Sequence, residues 1–176
     1  MVSQSQLRIF FALWPDAATR ARLAAIAARI PLSRPARRVP DYNLHLTLHF
    51  VGNVDRADAD CMRRQVRAVG GAAFELSIDS SGHFDRARVG WLGPARIPDA
   101  LLNLQRELGL NLRSCGYEAE KRAYSPHVSV IRKLNRAPEL VAFDPLLWKV
   151  DNFVLVESRA AETGVRYQVV ESYPLS

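Results

Sequence analysis

Two short segments of the chain pair a histidine with a hydroxyl residue two positions later. The first reads LHLTLHF from position 44 and contains His45 and Thr47; the second reads PHVSVIR from position 126 and contains His127 and Ser129. An imidazole takes up and releases a proton near neutral pH, and a hydroxyl donates a hydrogen bond to an oxyanion. In-line displacement at phosphorus needs a base at the entering oxygen and an acid at the leaving one. The pattern therefore predicts phosphoryl-transfer chemistry.

Both segments alternate apolar and polar residues, which predicts half-buried β-strands. In the first strand the leucines and Phe50 are expected to face a core, whereas His45, Thr47 and His49 face the other side. Residues two apart lie about 6.5–7 Å from each other along one strand face. His49 would then lie about 13 Å from His45, at the surface or the edge of a cleft. Arg132 closes the second segment, where its guanidinium could bind a phosphate through two hydrogen bonds.

The elements that position these strands can be read from periodicity. Helices are predicted where apolar residues recur at helical spacing after a capping residue, and strands where they alternate or run unbroken. A basic, proline-containing loop is expected at 33–40, and a hairpin is expected to pair 74–78 with 87–92. The other predicted elements are helices at 16–31, 55–70 and 98–116 and strands at 7–14, 150–158 and 165–172.

Composition and size limit the protein class. The 176 residues predict one domain, 1–176, built of two intertwined lobes with one motif in each. The period-2 patterning favours an α+β fold in which two antiparallel β-sheets face a central cleft, with helices outside and the halves related by a pseudo-two-fold axis. The formal net charge of +6 favours polyanions such as nucleic acid or phosphorylated small molecules.

Localisation is expected to be cytoplasmic, because no signal peptide and no apolar run of membrane-spanning length are seen. Cys61 and Cys115 are accordingly expected to be reduced, structural thiols. No C-x-x-C pair, no helical H-x-x-x-H and no carboxylate at ligand spacing accompany the histidines, so neither a metal site nor a cofactor is predicted.

At the residues His45-Leu46-Thr47-Leu48 and His127-Val128-Ser129-Val130 the chain resembles the 2H phosphoesterase superfamily. The resemblance is strongest to its branch of RNA 2′,3′-cyclic phosphodiesterases, also called 2′-5′ RNA ligases. It extends to the opening strand at 8–12, the 39–52 segment, the entry at 125–127 and Arg132. Ser129 stands where this branch usually has threonine, so the hydroxyl is kept and the methyl that restricts its rotamer is lost.

The resemblance implies metal-free hydrolysis of an RNA 2′,3′-cyclic phosphate end to a 2′-phosphomonoester. It implies that His45 is the proton donor and His127 the proton acceptor, with Thr47, Ser129 and Arg132 binding the phosphate. It also implies that the reverse reaction can form a 2′-5′ linkage. Residues beside the two motifs are candidates for RNA contacts, by charge or by base stacking: Arg37, Arg38, Tyr42 and Tyr124.

Two alternatives remain open. The substrate could be a small nucleotide such as ADP-ribose cyclic phosphate, or the chain could be a non-catalytic RNA-binding module. The expected partner is RNA with a cyclic phosphate end, such as a tRNA fragment, or a small cyclic-phosphate nucleotide. No membrane partner is expected, and the chain is expected to be monomeric. His83 is expected to be an incidental turn residue.

Overall fold

The computed structural model describes residues 6–139 and 141–176. Among these residues it contains three α-helices and ten β-strands, together with short 3-10 turns at Asp41–Asn43 and Val66–Ala68. The helices are α1 (Ala17–Ala28), α2 (Arg56–Gln65) and α3 (Asp99–Arg113). The strands are β1 (Leu7–Leu13), β2 (Arg37–Arg38), β3 (Leu46–Val54), β4 (Phe74–Ile78), β5 (Ser80–Phe84), β6 (Val89–Gly93), β7 (Val128–Arg132), β8 (Leu146–Val150), β9 (Asn152–Ala161) and β10 (Gly164–Pro174).

The large antiparallel sheet consists of two halves that meet at the motif strands. Its order is β10-β9-β1-β3-β7-β6-β5, with β2 also paired to β7. β3 and β7 are paired through a single residue pair, Leu46 with Val128, whereas β1 and β3 are paired along their length. The chain thus places one histidine motif on each side of a narrow joint between two half-sheets.

The helices cover one face of this sheet. Their apolar stripes, including Leu23 of α1 and Leu104 and Leu108 of α3, join the main core with Phe11 and Leu46 of the sheet. The small β4–β8 sheet packs into the same core. Asp16 caps α1 and Asp55 caps α2, each by accepting a hydrogen bond from a backbone amide three residues on. The predicted α+β fold, with antiparallel sheets and outer helices, is confirmed.

The predicted hairpin is wrong. β4 pairs with β8, far along the chain, and β6 pairs instead with β5, which the sequence suggested was a turn. β5 reads SSGHF and has no apolar alternation, so its strand character depends on its partner. Gly82 lies against the ring of Trp91, and an added Cβ would clash with the indole. The 33–40 loop also contains the two-residue strand β2, which lies between its prolines.

The expectation of two reduced cysteines is also wrong. Cys61 on α2 and Cys115, just after α3, form a disulfide with a Cα–Cα distance of 5.8 Å. The packing of α2 against α3 brings together residues that are 54 positions apart. Sequence spacing does not reveal this proximity, and the expectation depended on the inferred compartment alone. None of the helices described is long and apolar enough to cross a membrane.

Candidate active site

The single bridge between β3 and β7 brings the two motifs into contact. Extending the antiparallel register of Leu46 and Val128 by one residue each way places His45 beside Ser129 and Thr47 beside His127. Directly opposite residues have Cβ atoms about 4.5–5.5 Å apart, and all four polar side chains share the face opposite to the buried Leu46 and Val128. This register predicts that each histidine lies across from the hydroxyl residue of the other motif.

Both histidines are held by the same local contact. His45 Nδ1 lies 2.7 Å from the Asn43 carbonyl oxygen, and His127 Nδ1 lies 2.8 Å from that of Ser125, in each case two residues upstream. A carbonyl only accepts, so Nδ1 carries the proton in both rings. In the neutral state each Nε2 then has a free lone pair. The Thr47 hydroxyl, 3.1 Å from His45 Nε2, donates to it.

Aromatic rings enclose His45. Trp14 stacks on the imidazole with ring centroids 5.7 Å apart, Phe10 lies 4.8 Å away, and the Tyr167 ring meets it edge-on at 5.1 Å. This burial lowers the pKa of His45 to about 4, against the opposing effect of its hydrogen bond to Asn43. The positive charges of Arg132 and of protonated His127 lower this pKa further.

His127 has a more open environment. Its ring is half-buried and meets Phe84 edge-on at 4.9 Å. Burial lowers the pKa of His127, its hydrogen bond to Ser125 raises it, and the charges of Arg122 and Arg132 lower it further. The free protein therefore holds two neutral imidazoles at neutral pH, each with an unprotonated Nε2, and that of His45 accepts from Thr47.

A β-bulge in each motif strand changes which side chains reach the histidines. In the pairing of β3 with β1 the register skips Leu48, and in the pairing of β7 with β6 it skips Val130. Leu48 and His49 are consequently both buried, as are Val130 and Ile131. The next residue of each strand, Phe50 or Arg132, returns to the face of the histidines.

The bulge overturns the expected position of His49. The side chain is only 5% exposed and packs against Gly109 of α3, whose Cβ position lies 3.0 Å from the imidazole. Its Nε2 donates to the Gln105 carbonyl at 2.7 Å, and its Nδ1 accepts from the Tyr117 hydroxyl at 3.1 Å. Burial lowers the pKa of His49. This histidine joins β3 to α3 and is not a surface residue.

The bulge in β7 likewise turns the Arg132 side chain toward the face of the sheet that carries the histidines. We call the hollow that it lines the central depression; its wall includes Arg8, His45, Thr47, Phe50, Arg132 and Tyr167. Arg37 of β2 is paired directly with Arg132, so the two side chains share a face of the sheet. Like charges placed opposite each other are destabilising unless an anion lies between them. The pair therefore suits the binding of a phosphate.

The other residues predicted to contact RNA have varied environments. Tyr42 is 45% exposed, and the Arg166 guanidinium lies 5.0 Å over its ring. Arg38 donates to the carbonyls of Ala27, Ala28 and Ile30, so its guanidinium is engaged at the end of α1. The Tyr124 hydroxyl donates to the Thr47 carbonyl at 3.0 Å, and burial raises its pKa. RNA contacts by these residues remain predictions.

Sequence reasoning missed Asn43, which is 3% exposed. Besides holding His45 through its carbonyl, it donates from Nδ2 to the Val165 carbonyl at 2.8 Å and accepts at Oδ1 from the Tyr167 amide at 3.0 Å. A buried amide two residues before a motif histidine is a usable signal, but its partners lie more than 120 residues away. No cluster of three or more metal-ligating side chains is found among residues 6–139 and 141–176.

Known proteins match this chain over most of its length. A family model described as the 2'-5' RNA ligase superfamily matches residues 11–162. The RNA 2',3'-cyclic phosphodiesterase of Escherichia coli K12 is 29% identical over 173 residues, covering 96% of this chain and 97% of that protein. A protein of the same name from Thermotoga maritima is 32% identical, covering 75% of each chain.

Solved structures match over nearly the whole chain. E. coli LigT complexed with 3'-AMP superposes with a TM-score of 0.87 at 27% identity, covering 98% of this chain and 99% of that one. TT0787 of Thermus thermophilus superposes with a TM-score of 0.82 at 25% identity, covering 95% and 97%. With the paired histidine motifs, these matches show that the chain belongs to the 2'-5' RNA ligase superfamily.

Proposed function

We propose that this protein is an RNA 2′,3′-cyclic phosphodiesterase that opens the cyclic phosphate to a 2′-phosphomonoester by acid–base catalysis between His45 and His127, without a metal ion. The observation that carries the proposal is the Leu46–Val128 bridge at the β3–β7 joint, which brings the two histidine motifs side by side. The names of the E. coli and T. maritima relatives support the same activity.

The reaction can be written with named groups. His127 Nε2 takes a proton from a water molecule, whose oxygen forms a bond to phosphorus on the side opposite to the 3′-oxygen. The bond from phosphorus to that 3′-oxygen breaks, and protonated His45 gives its Nε2 proton to the leaving oxygen. The Thr47 and Ser129 hydroxyls donate to the non-bridging oxygens, and Arg132 offsets their charge.

The low pKa of His45 places a condition on this mechanism. A ring with a pKa of about 4 is neutral at pH 7, whereas an acid must carry a proton. Arg132 and His127 lower this pKa by their positive charge, and a phosphate bound between them adds negative charge beside the ring. Substrate binding therefore raises the pKa of His45 and recruits its proton. In this mechanism His45 becomes a proton donor only when substrate is bound.

The same groups, in the same roles, also support ligation. When the oxygen that enters is the 5′-hydroxyl of a second RNA in place of water, the product is a 2′-5′ phosphodiester and no atom is lost. His127 then deprotonates the 5′-hydroxyl, as it would deprotonate water. Ligation requires that the acceptor RNA reach the His127 side of the site at high concentration.

A second candidate, a cyclic phosphodiesterase of small nucleotides, is favoured by the aromatic enclosure of His45. Trp14, Phe10 and Tyr167 offer apolar surface to a single nucleoside. The ratio of kcat/KM for a cyclic-ended oligonucleotide to that for a cyclic mononucleotide separates the two candidates. A ratio of one or less favours the small nucleotide.

The proposal is tested by ³¹P NMR of a cyclic-ended oligonucleotide incubated with the protein in excess EDTA. The expected result is conversion of the cyclic phosphate resonance to that of a 2′-phosphomonoester alone. His45→Ala and His127→Ala should each slow the conversion about 10²–10⁴-fold. A 3′-phosphate product, loss of activity in EDTA, or full activity of His127→Ala would refute the mechanism, and tight RNA binding with no turnover would indicate a binding module.

A further inference from the structure

A second hollow adjoins the candidate active site at His127. We call it the entry hollow; its wall includes Thr47, Phe50, Glu120, Arg122, Tyr124 and His127. Thr47 and Phe50 also line the central depression, whose wall contains the other motif histidine, His45. The two hollows therefore meet at Thr47 and Phe50, and each has one of the two motif histidines in its wall.

The proposed mechanism assigns the two hollows to different parts of the reaction. The leaving 3′-oxygen takes its proton from His45, so the ribose of the cyclic phosphate lies on the side of the central depression. The entering oxygen gives its proton to His127, so the group that carries this oxygen lies on the side of the entry hollow. This hollow has a volume of about 120 Å³, several times the roughly 30 Å³ that one water molecule occupies in the liquid. It is larger than an attacking water requires.

Arg122 brings a positive charge to the wall of the entry hollow. Its side chain is 82% exposed, and its guanidinium lies 3.7 Å from the carboxylate of Glu120. An ion pair as exposed as this contributes little to stability, because water screens both charges. The guanidinium can therefore exchange the Glu120 carboxylate for another anion at small cost.

The charges of Arg122 and Arg132 act on different histidines. Arg132 and Arg122 both lower the pKa of His127, whereas the charges that shift the pKa of His45 are those of Arg132 and His127. This difference fits Arg132 beside the phosphate that both rings share, and Arg122 on the side from which the entering oxygen comes. A cation at that place weakens the base that attack by water needs, unless a bound anion offsets its charge.

We infer that the entry hollow binds the 5′-terminal nucleoside of an acceptor strand, and that Arg122 contacts the phosphate on the 3′ side of this nucleoside. The inference rests on the proposed function and deepens it, because it makes Arg122 the residue that sets the choice between water and a 5′-hydroxyl. The acceptor oxygen bonds to phosphorus and gives its proton to His127. The bond from phosphorus to the 3′-oxygen breaks, and that oxygen takes the proton of His45.

The test measures how the cyclic phosphate is divided between two products. The donor is a short RNA with a 2′,3′-cyclic phosphate and a 5′-phosphate, so it cannot act as its own acceptor. The acceptors are a nucleoside and a dinucleoside monophosphate, each with a free 5′-hydroxyl; only the second has a phosphate for Arg122. The quantity measured is the ratio of 2′-5′-joined to hydrolysed product at equal acceptor concentrations. Both products require His45 and His127, so effects on proton transfer largely cancel in this ratio.

The variant is Arg122→Gln, and its matched control is Lys121→Gln. The control removes the same charge from the neighbouring exposed residue, which lies outside the wall of the entry hollow. Because the Arg122 side chain is exposed, we expect its replacement to leave the fold intact.

We expect the wild-type protein to give a ratio about five-fold or more higher with the dinucleoside monophosphate than with the nucleoside, as for one charge-assisted phosphate contact. Arg122→Gln should remove this difference by lowering the first ratio, and should change the nucleoside ratio less than about two-fold. Lys121→Gln should keep both wild-type ratios.

Three results would overturn the inference: equal wild-type ratios for the two acceptors, an equal fall with both acceptors in Arg122→Gln, or the same fall in Lys121→Gln. Hydrolysis without any joined product would also overturn it and would leave the phosphodiesterase proposal in place. If the donor is not turned over at all, the proposed function fails separately. The hollow is then judged by NMR titration of the His127 ring with the dinucleoside monophosphate. A shift in the wild-type protein and Lys121→Gln that is lost in Arg122→Gln supports the site, and equal behaviour of all three proteins refutes it.

Discussion

The Asn43 carbonyl oxygen lies 2.7 Å from Nδ1 of His45, and the side chain of the same asparagine bonds to the backbone of β10 at two points. One buried residue thus fixes the tautomer of His45 and attaches the turn before that ring to the edge of the sheet. The bond to the Tyr167 amide also places the Tyr167 ring edge-on to His45. Asn43 therefore acts as a positioning residue.

Replacing Asn43 should impair catalysis through His45 without removing a group that touches substrate. Asn43→Ala leaves the Val165 carbonyl and the Tyr167 amide without their partner, at a cost of about 1–3 kcal/mol in the free energy of unfolding. Asn43→Asp keeps the acceptor and loses the donor. We expect kcat to fall about ten-fold or more in both variants, with KM changed less, because ring orientation matters most in the transition state.

Steady-state kinetics and urea unfolding measure these effects. The exposed Asn53→Ala is the control, and a pure KM effect would contradict the role.

The pH dependence follows from the lowered pKa values. In the proposed mechanism, the active form carries a proton on His45 and none on His127. Both residues have pKa values below the usual 6.5 in the free protein, and that of His45 is about 4. The singly protonated pair is therefore lost as the pH rises above 6.5, and kcat/KM for a cyclic mononucleotide should be highest below this pH. The profile of kcat should lie at higher pH, because bound phosphate raises the pKa of His45. His83→Ala should leave both profiles unchanged, and a kcat/KM maximum above pH 7 would refute the prediction.

Arg132 should act on both affinity and proton transfer. Arg132→Gln removes a charge-assisted contact to phosphate, so we expect kcat/KM to fall about ten- to hundred-fold. It also removes a charge that lowers the pKa of both histidines, so both pKa values should rise.

Arg132→Lys should keep the pKa values of the two histidines low but lose the two-point contact to phosphate. NMR titration of the histidine rings measures the pKa values, with Arg64→Gln on α2 as control. Unchanged titration in Arg132→Gln would show that the side chain is remote from the site.

A side chain at Gly109 should destabilise the protein because of His49. A Cβ at Gly109 would lie 3.0 Å from an imidazole held by two hydrogen bonds, so the ring cannot move cheaply. Alanine gains about 1 kcal/mol of helix propensity, whereas overpacking a core costs about 1–3 kcal/mol. We expect Gly109→Ala to be destabilised by about 1 kcal/mol net, measured by urea unfolding. Gly70→Ala, with no atom within 4 Å of its Cβ, should be near neutral. A stabilised Gly109→Ala would mean that His49 is free to shift.

Much of the site was predictable because two strands of period two contain it. Alternation correctly placed His45 and Thr47 on one face, and the short sequence distance between them made that inference local. Alternation predicted the wrong face for His49, because a bulge depends on the partner strand and no feature of residues 44–50 alone indicates it. The β4–β8 pairing and the Cys61–Cys115 disulfide were missed for the same reason. Each is decided by contacts between residues far apart in sequence.

The matched bulges have a consequence for how a substrate can lie in this site. They bring the fifth residue after each histidine to the same relative place, but one is Phe50, beneath the Arg8 guanidinium, and the other is the cation Arg132. The two motif strands thus share a bulge three residues after the histidine but present different side chains after it. We expect a cyclic phosphate, which has a charged side and a sugar side, to bind between Phe50 and Arg132 in one orientation only. Under the proposed mechanism, that orientation would select which ester bond is cleaved.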